Sequence, residues 1–184
     1  FMPEKIAINV LDINHPLRSF CKKNNIELIA GNNSSNLLSE YKNVDLVVNS
    51  IVGTDGLIPT INTVNNNIEL ALSNKESLVL GGHLIMPKVK ENTANLIPVD
   101  SEHSAIFQCL YGEQENTLKK IILTGSGGPF LKRKIDTFDS IKPEEALNHP
   151  NWDMGKKISI DSATMMNKGL ELVEAIWLFD IDIK

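Results

Sequence analysis

The chain has 184 residues, 42% hydrophobic and 22% charged, with a net charge of −5. That length buries one large core or two small ones, and the acidic balance argues against a nucleic-acid protein, whose footprint is a basic face. The two distant cysteines, Cys21 and Cys109, offer neither a CxxC zinc pattern nor a redox pair, no apolar run reaches the ~18 residues of a membrane span, and no signal peptide is read at the start.

In chain order, "KIAINVL" (5–11) reads as a strand or a buried helix piece, because periodicity alone does not separate the two. "IELIAG" (26–31) predicts a strand, and "SSNLLSEY" (34–41) a helix capped by Ser34 or Ser35. "VDLVVNSIVG" (44–53) is too continuously apolar to alternate, as expected of a strand covered on both faces. "PTINTVNNN" (59–67) predicts a helix with Pro59 near its first turn, and "IELALSN" (68–74) the next strand. "KESLVLGGHLIM" (75–86) follows as a helix weakened by Gly81 and Gly82 and closed near Pro87. Alternation of this kind implies a parallel, Rossmann-like sheet.

The second half reads differently. "NLIPV" (95–99) ends at Asp100, Ser101 and Glu102, and "SAIFQCLYG" (104–112) predicts a helix stopped by Gly112. "KKIILTGSGGPF" (119–130) predicts a strand entering a Gly-rich turn, and residues 131–157 a long functional loop with the short helix "PEEALN" and the stretch "HPNWDMG". The strand "KISI" (157–160) and the helix "DSATMMNKGLELVEAIWLF" (161–179) close the pattern. The expected class is α/β: a Rossmann-like parallel-sheet remnant at 1–98, then an α/β or α+β domain at 99–184.

At an extended strand end, residues i and i+2 share a side, so Asp100 and Glu102 project together. Two close carboxylates repel unless a cation lies between them, and hard divalent ions take oxygen ligands of this kind. The alternative is a helix cap, with Asp100 or Ser101 as N-cap and Glu102 in the first turn. These residues alone favour the cap, because metal binding needs a third ligand. On the last helix, Met166, Leu170, Val173 and Trp177 form an apolar stripe expected to face the core, with Asn167, Lys168 and Glu171 on an adjoining arc.

Ser162 at that helix's start, with Asn167 and Lys168, would hold a phosphate while Glu171 reaches a metal. A solvated polar face with a Lys–Glu pair is the plainer alternative. "TGSGGPF" (124–130) allows backbone N–H groups to approach a phosphate, though many strand-to-loop turns look alike. His149 and Trp152 sit where a closing loop would need them, or where a solvated histidine and a core plug would sit. Lys75 follows a strand end, where ligands of open parallel sheets lie. His15, His83 and His103 have no partners by spacing and read as structural.

Taken together, "NSIVGTDGLIPT", "ALSNKESLV", "PVDSEHSAIFQ", "LTGSGGPF" and "HPNWDMGKKISIDSATMMNKGLELVEA" resemble the 1-deoxy-D-xylulose 5-phosphate reductoisomerase family, from about residue 44 to 177. The resemblance implies an enzyme that rearranges its phosphosugar substrate and reduces the product with NADPH to 2-C-methyl-D-erythritol 4-phosphate, in non-mevalonate isoprenoid biosynthesis. It implies Mg²⁺, Mn²⁺ or Co²⁺ held by Asp100, Glu102 and Glu171. Substrate contacts fall on Lys75, Ser101, Ser126, His149, Ser162, Asn167, Lys168 and Glu171, with Lys75, Glu102 and His149 catalytic. NADPH contacts fall on Asn74, Glu76, Met154 and Gly155, with Trp152 on the closing loop. A homodimer is implied, in a bacterial cytoplasm or a plastid-type organelle, without nucleic-acid or membrane partners.

Two departures stand out. The Gly-rich dinucleotide fingerprint that opens the family is missing from this chain, as are the family's later segments. The chain therefore reads as an internal fragment, with 1–98 part of the NADPH-binding domain and 99–184 part of the catalytic domain. In isolation it is expected to show little or no NADPH-dependent turnover. The competing reading is a non-catalytic piece that binds metal and phosphosugar or serves folding and dimerisation. Asp153 beside Trp152 adds negative charge near the cofactor region.

Overall fold

Among the described residues, strands form where a parallel neighbour completes the backbone ladder, and all of them lie before residue 99. The computed structural model describes residues 2–113 and 118–181, and the chain divides into two compact units, Phe1–Val99 and Asp100–Lys184. Among the described residues, no helix is long and apolar enough to cross a membrane.

In the first unit, β1 (Lys5–Ile8) pairs in parallel with β2 (Glu27–Ala30), Ile6 opposite Leu28. This settles "KIAINVL" as a strand. The crossover is α1 (Pro16–Lys23), which has Pro16 at its first turn, Lys22 and Lys23 in its last, and His15 Nδ1 accepting from Leu17 N–H at 3.2 Å. After β2 comes α2 (Ser34–Ser39), whose N-cap is Asn33. The expected serine cap does not form, because Ser34 instead donates its hydroxyl to Asn9 Oδ1 at 2.7 Å.

A second parallel sheet has the order β3 (Leu46–Asn49), β4 (Glu69–Leu72), β5 (Leu96–Pro98), with Val47 opposite Leu70 and Leu70 opposite Leu96. The helices α3 (Leu57–Asn65) and α4 (Lys75–Glu91) connect these strands. The α/β class is thus that of the sequence reading. The core lies around β4 and α4, where Leu70, Leu72, Leu78 and Ile85 are buried. β3 departs from expectation. It is the edge of its sheet, and Leu46 and Val48 are exposed rather than covered on both faces.

α4 also departs from its predicted end. It runs through Pro87 to Glu91, and Asn92 closes it by donating Nδ2 to the Val64 carbonyl. Ile85 and Met86, buried two residues and one residue earlier, hold the helix on the core across the missing N–H. Gly81 has a packing reason: a Cβ there would lie 2.7 Å from Leu57 Cδ1, so its absence lets α3 and α4 approach.

The second unit holds α5 (Ser101–Leu110), a 3-10 turn at Ile135–Ser140, α6 (Pro143–Ala146), α7 (Lys156–Ala163) and α8 (Met166–Phe179). Its described residues contain no strand. Residues 119–124 find no ladder partner there, so their apolar run stays irregular. "KISI" is helical: Ser159 bonds back to the Gly155 carbonyl at 3.0 Å and Lys157 pairs with Asp161 one turn on. Local i,i+4 bonding outweighs the β-propensity of two isoleucines. The predicted single helix 161–179 is cut where Met165 turns left-handed at φ 61°. Ser162 therefore lies in the last turn of α7 and does not start a helix.

Candidate metal and phosphate site

Asp100 and Glu102 enter the second unit at the start of α5, and the cap and ligand readings prove compatible. Asp100 is the N-cap, accepting from Ser101 N–H at 3.2 Å, and Glu102 sits in the first turn. Glu102 is thus helical rather than at an extended strand end. One oxygen from each of Asp100, Glu102 and Glu171 nevertheless lies within 4.8 Å of the others. Ser101 donates its hydroxyl to Glu102 Oε2 at 2.6 Å.

The two carboxylates from α5 and α8 meet on one ammonium. Lys168 Nζ is 2.6 Å from Glu102 Oε1 and also donates to Glu171 Oε2, while Asn167 Nδ2 donates to Glu171 Oε1. Burial works to raise the Glu102 carboxyl, but hydrogen bonds from Lys168 and Ser101 overcome it and hold the group below the usual carboxylate range. Burial likewise works to lower Lys168, and its bonds to Glu102 and Glu171 raise it above the ordinary lysine value. A solvated Lys–Glu pair is excluded for Glu171, whose side chain is 1% exposed. The buried face of α8 is Glu171, Glu174 and Ala175, whereas Met166 of the expected apolar stripe is exposed. Two glutamates occupy the core side because cationic or N–H partners meet them there.

The Gly-rich turn lies against the same residues. A Cβ on Gly125 would sit 3.1 Å from Lys168 Cε, and one on Gly128 would sit 2.9 Å from the Ser162 carbonyl oxygen. Ser126 Oγ is 3.1 Å from His149 Nε2 and accepts from Gly128 N–H at 3.3 Å. His149 Nδ1 accepts from the backbone N–H groups of Asn151 and Trp152 at 3.2 and 3.1 Å. An Nδ1 that accepts twice leaves the ring hydrogen on Nε2, so His149 presents a donor toward Ser126. Trp152 and Asp153 are exposed, which fits a loop residue better than a core plug. Met154 and Gly155 lead into α7, where Gly155 is the N-cap.

Gly128 has φ +67° as well as its backbone contact. Gly128→Ala is therefore expected to cost ~1–3 kcal/mol, combining left-handed strain with a clash that no side chain can yield to. An unchanged melting temperature would count against that packing.

The other candidates belong to the first unit. Asn74, Lys75 and Glu76 stand together at the carboxyl end of β4, where α4 begins. Asn74 is the N-cap: Oδ1 accepts from Ser77 N–H at 2.8 Å, and Nδ2 donates to the Gly53 carbonyl at 2.8 Å and to Glu76 Oε2 at 3.3 Å. Asn49 Nδ2, at the end of β3, donates to the Gly56 carbonyl and to Thr60 Oγ1, both at 2.8 Å, and Thr60 Oγ1 donates to Ser77 Oγ at 3.2 Å. This buried chain of amides and hydroxyls fixes the turn at Gly53–Gly56 beside Lys75, which is itself buried. Sequence spacing missed the network. It also missed the partners of His103, which is buried with Nε2 at 2.8 Å from the Glu171 carbonyl.

Comparison with known proteins agrees along the chain. A model of 1-deoxy-D-xylulose 5-phosphate reductoisomerase matches residues 1–82, and a model of that enzyme's C-terminal domain matches residues 96–179. The reductoisomerase of Clostridium beijerinckii is 47% identical over 184 residues, covering 99% of this chain and 48% of the relative. That of Bacillus pumilus is 47% identical over 181 residues, covering 98% and 47%. The chain thus spans about half the length of these curated relatives.

A solved DOX-P reductoisomerase in complex with NADPH, fosmidomycin and magnesium superposes with a TM-score of 0.87 at 40% identity, over 99% of this chain and 47% of that one. The Zymomonas mobilis enzyme in complex with NADPH gives 0.84 at 38% identity, over 97% and 46%. With both halves of the chain matched in order by the same family, the chain belongs to the 1-deoxy-D-xylulose 5-phosphate reductoisomerases.

Proposed function

We propose that the full protein carrying this chain is an NADPH- and divalent-metal-dependent reductoisomerase that converts 1-deoxy-D-xylulose 5-phosphate to 2-C-methyl-D-erythritol 4-phosphate. The observation that carries this reading is the convergence of Asp100, Glu102 and Glu171 within 4.8 Å. Three hard oxygen donors suit Mg²⁺ or Mn²⁺. The ammonium of Lys168 against two of them supports an arrangement built to meet positive charge. The complexes of the solved relatives with NADPH, fosmidomycin and magnesium support the same classes of ligand here.

When bound, the metal supplies a Lewis acid for the substrate's carbonyl and hydroxyl oxygens, and NADPH supplies the hydride. The chain's own residues bind and orient. Ser126, Ser162, Asn167 and Lys168 hold the phosphate, joined by the Nε2–H of His149, whose tautomer the turn at 149–152 sets. Remote binding energy at the phosphate fixes the reacting carbons relative to the carboxylates. Ser101 steadies Glu102 through its hydroxyl. The family resemblance assigns Lys75 to the substrate's enediolate-like oxygens, and Asn74, Glu76, Met154 and Gly155 to NADPH, with Trp152 on the closing loop. Their support is the family resemblance and, for the first three, their place at the carboxyl end of a parallel strand.

The test is the absorbance of NADPH in the presence of the full protein. It is expected to fall only when both 1-deoxy-D-xylulose 5-phosphate and a divalent ion are present, and to stop on adding a chelator. Turnover indifferent to chelation, or none with this substrate, would reject the reading.

A further inference from the structure

Beneath the carboxylate cluster lie two completely buried groups that the proposed reaction does not use, His103 on α5 and Glu174 on α8. Each neighbours a candidate ligand: His103 follows Glu102 directly, and Glu174 is one helical turn beyond Glu171. His103 Nε2 lies 2.8 Å from the Glu171 carbonyl oxygen. A carbonyl only accepts, so Nε2 carries a hydrogen and donates it. Nδ1 lies 3.2 Å from Glu174 Oε2 and 3.8 Å from Asp100 Oδ2.

Nδ1 is thereby held against the Glu174 side chain in a place closed to solvent, both side chains being 0% exposed. The ring lies parallel to Phe179, at 3° and 6.4 Å between centroids, which fixes its plane. Both ring nitrogens are thus spent on α8, one on its backbone and one on its side chain, while Asp100 joins from the cap of α5.

We propose that His103 and Glu174 form a buried strut that sets the separation of α5 and α8, and so positions Asp100, Glu102 and Glu171 to share one divalent cation. The proposal rests on reading those three carboxylates as the metal ligands. His103 and Glu174 are positioning residues and touch neither substrate nor ion.

The test measures Mn²⁺ binding to the full protein by the electron paramagnetic resonance of free and bound ion, for His103→Gln, Glu174→Gln and the double variant. Each single change is expected to weaken binding about tenfold and to alter the line shape of bound Mn²⁺. The double variant is expected to be no weaker than the worse single, because both act through one contact. Native affinity in both single variants overturns the strut. Asp100, His103 and Glu174 also offer ligand atoms within 4.8 Å of one another, so loss of one of two bound Mn²⁺ on Glu174→Gln would overturn it in favour of a second cation site.

Should a variant fail to fold, histidine-selective ¹⁵N spectra of the unmodified protein decide. The Nε2 hydrogen that His103 donates to the Glu171 carbonyl is expected to exchange slowly, and an Nε2 hydrogen that exchanges as fast as that of an exposed imidazole rejects the strut. Absence of any Mn²⁺ binding by the unmodified protein would instead reject the metal reading itself.

Discussion

Replacing Glu171 by glutamine in the full protein is expected to weaken Mn²⁺ binding by more than tenfold, a loss above ~1.4 kcal/mol. The substitution keeps the side chain's shape and removes its charge. Glu171 is the member of the ligand cluster most withdrawn from water, 1% exposed at its side chain against 19% for Glu102. Water therefore cannot substitute for it. Glutamine keeps one oxygen, which accepts from Asn167 or from Lys168 but not from both, so the melting temperature of the variant is measured beside its affinity to separate loss of the ion from loss of the helix contact. Turnover at limiting Mn²⁺ should fall with affinity and recover in part at high Mn²⁺. Isothermal calorimetry giving an unchanged dissociation constant would remove Glu171 from the ligand set and with it the proposed function.

Leu72→Ala is expected to give the largest loss of stability in the first unit, ~2–5 kcal/mol. Leu72 is fully buried on β4, the central strand of its sheet, paired with Asn49 on one side and Pro98 on the other. A cavity between two strands held by backbone ladders has little freedom to collapse. Val48→Ala on the edge strand β3 provides the control: Val48 is 62% exposed, and its truncation should stay within ~0.5 kcal/mol. Urea denaturation of both variants, at equal slope, checks the contrast. Equal midpoints would mean that the core is not centred on β4.

The polar chemistry near the two helix starts was legible to different degrees. Asp100 and Glu102 stand two apart, and Glu171 is on the same arc as Lys168, so their identities can be read from spacing. The cap of α5 and the cluster use the same residues, which spacing presents as rival readings. His103 had no visible partner, because Glu174 lies 71 positions further along and helix packing alone brings the two within 3.2 Å.

Spacing puts Ser162 at the start of a helix, whereas the structure puts it in the last turn of α7. The left-handed turn at Met165 cuts the run, and a non-glycine φ of 61° has no sequence signal. Pro87 read as a helix end, yet burial of its neighbours carried α4 four residues further.

The order of apolar runs, caps and glycines by itself determined the β/α alternation of the first unit, the strands β2 to β5 and the residue types able to meet a cation and a phosphate, since these depend on local periodicity and on donor chemistry. Tertiary structure alone decided that "KISI" is helical, that residues 119–124 form no strand among those described, and that two glutamates face the buried side of α8. In each case the outcome turns on a partner distant in the chain: a strand needs a ladder neighbour, and a buried carboxylate needs a cation or an N–H supplied by packing.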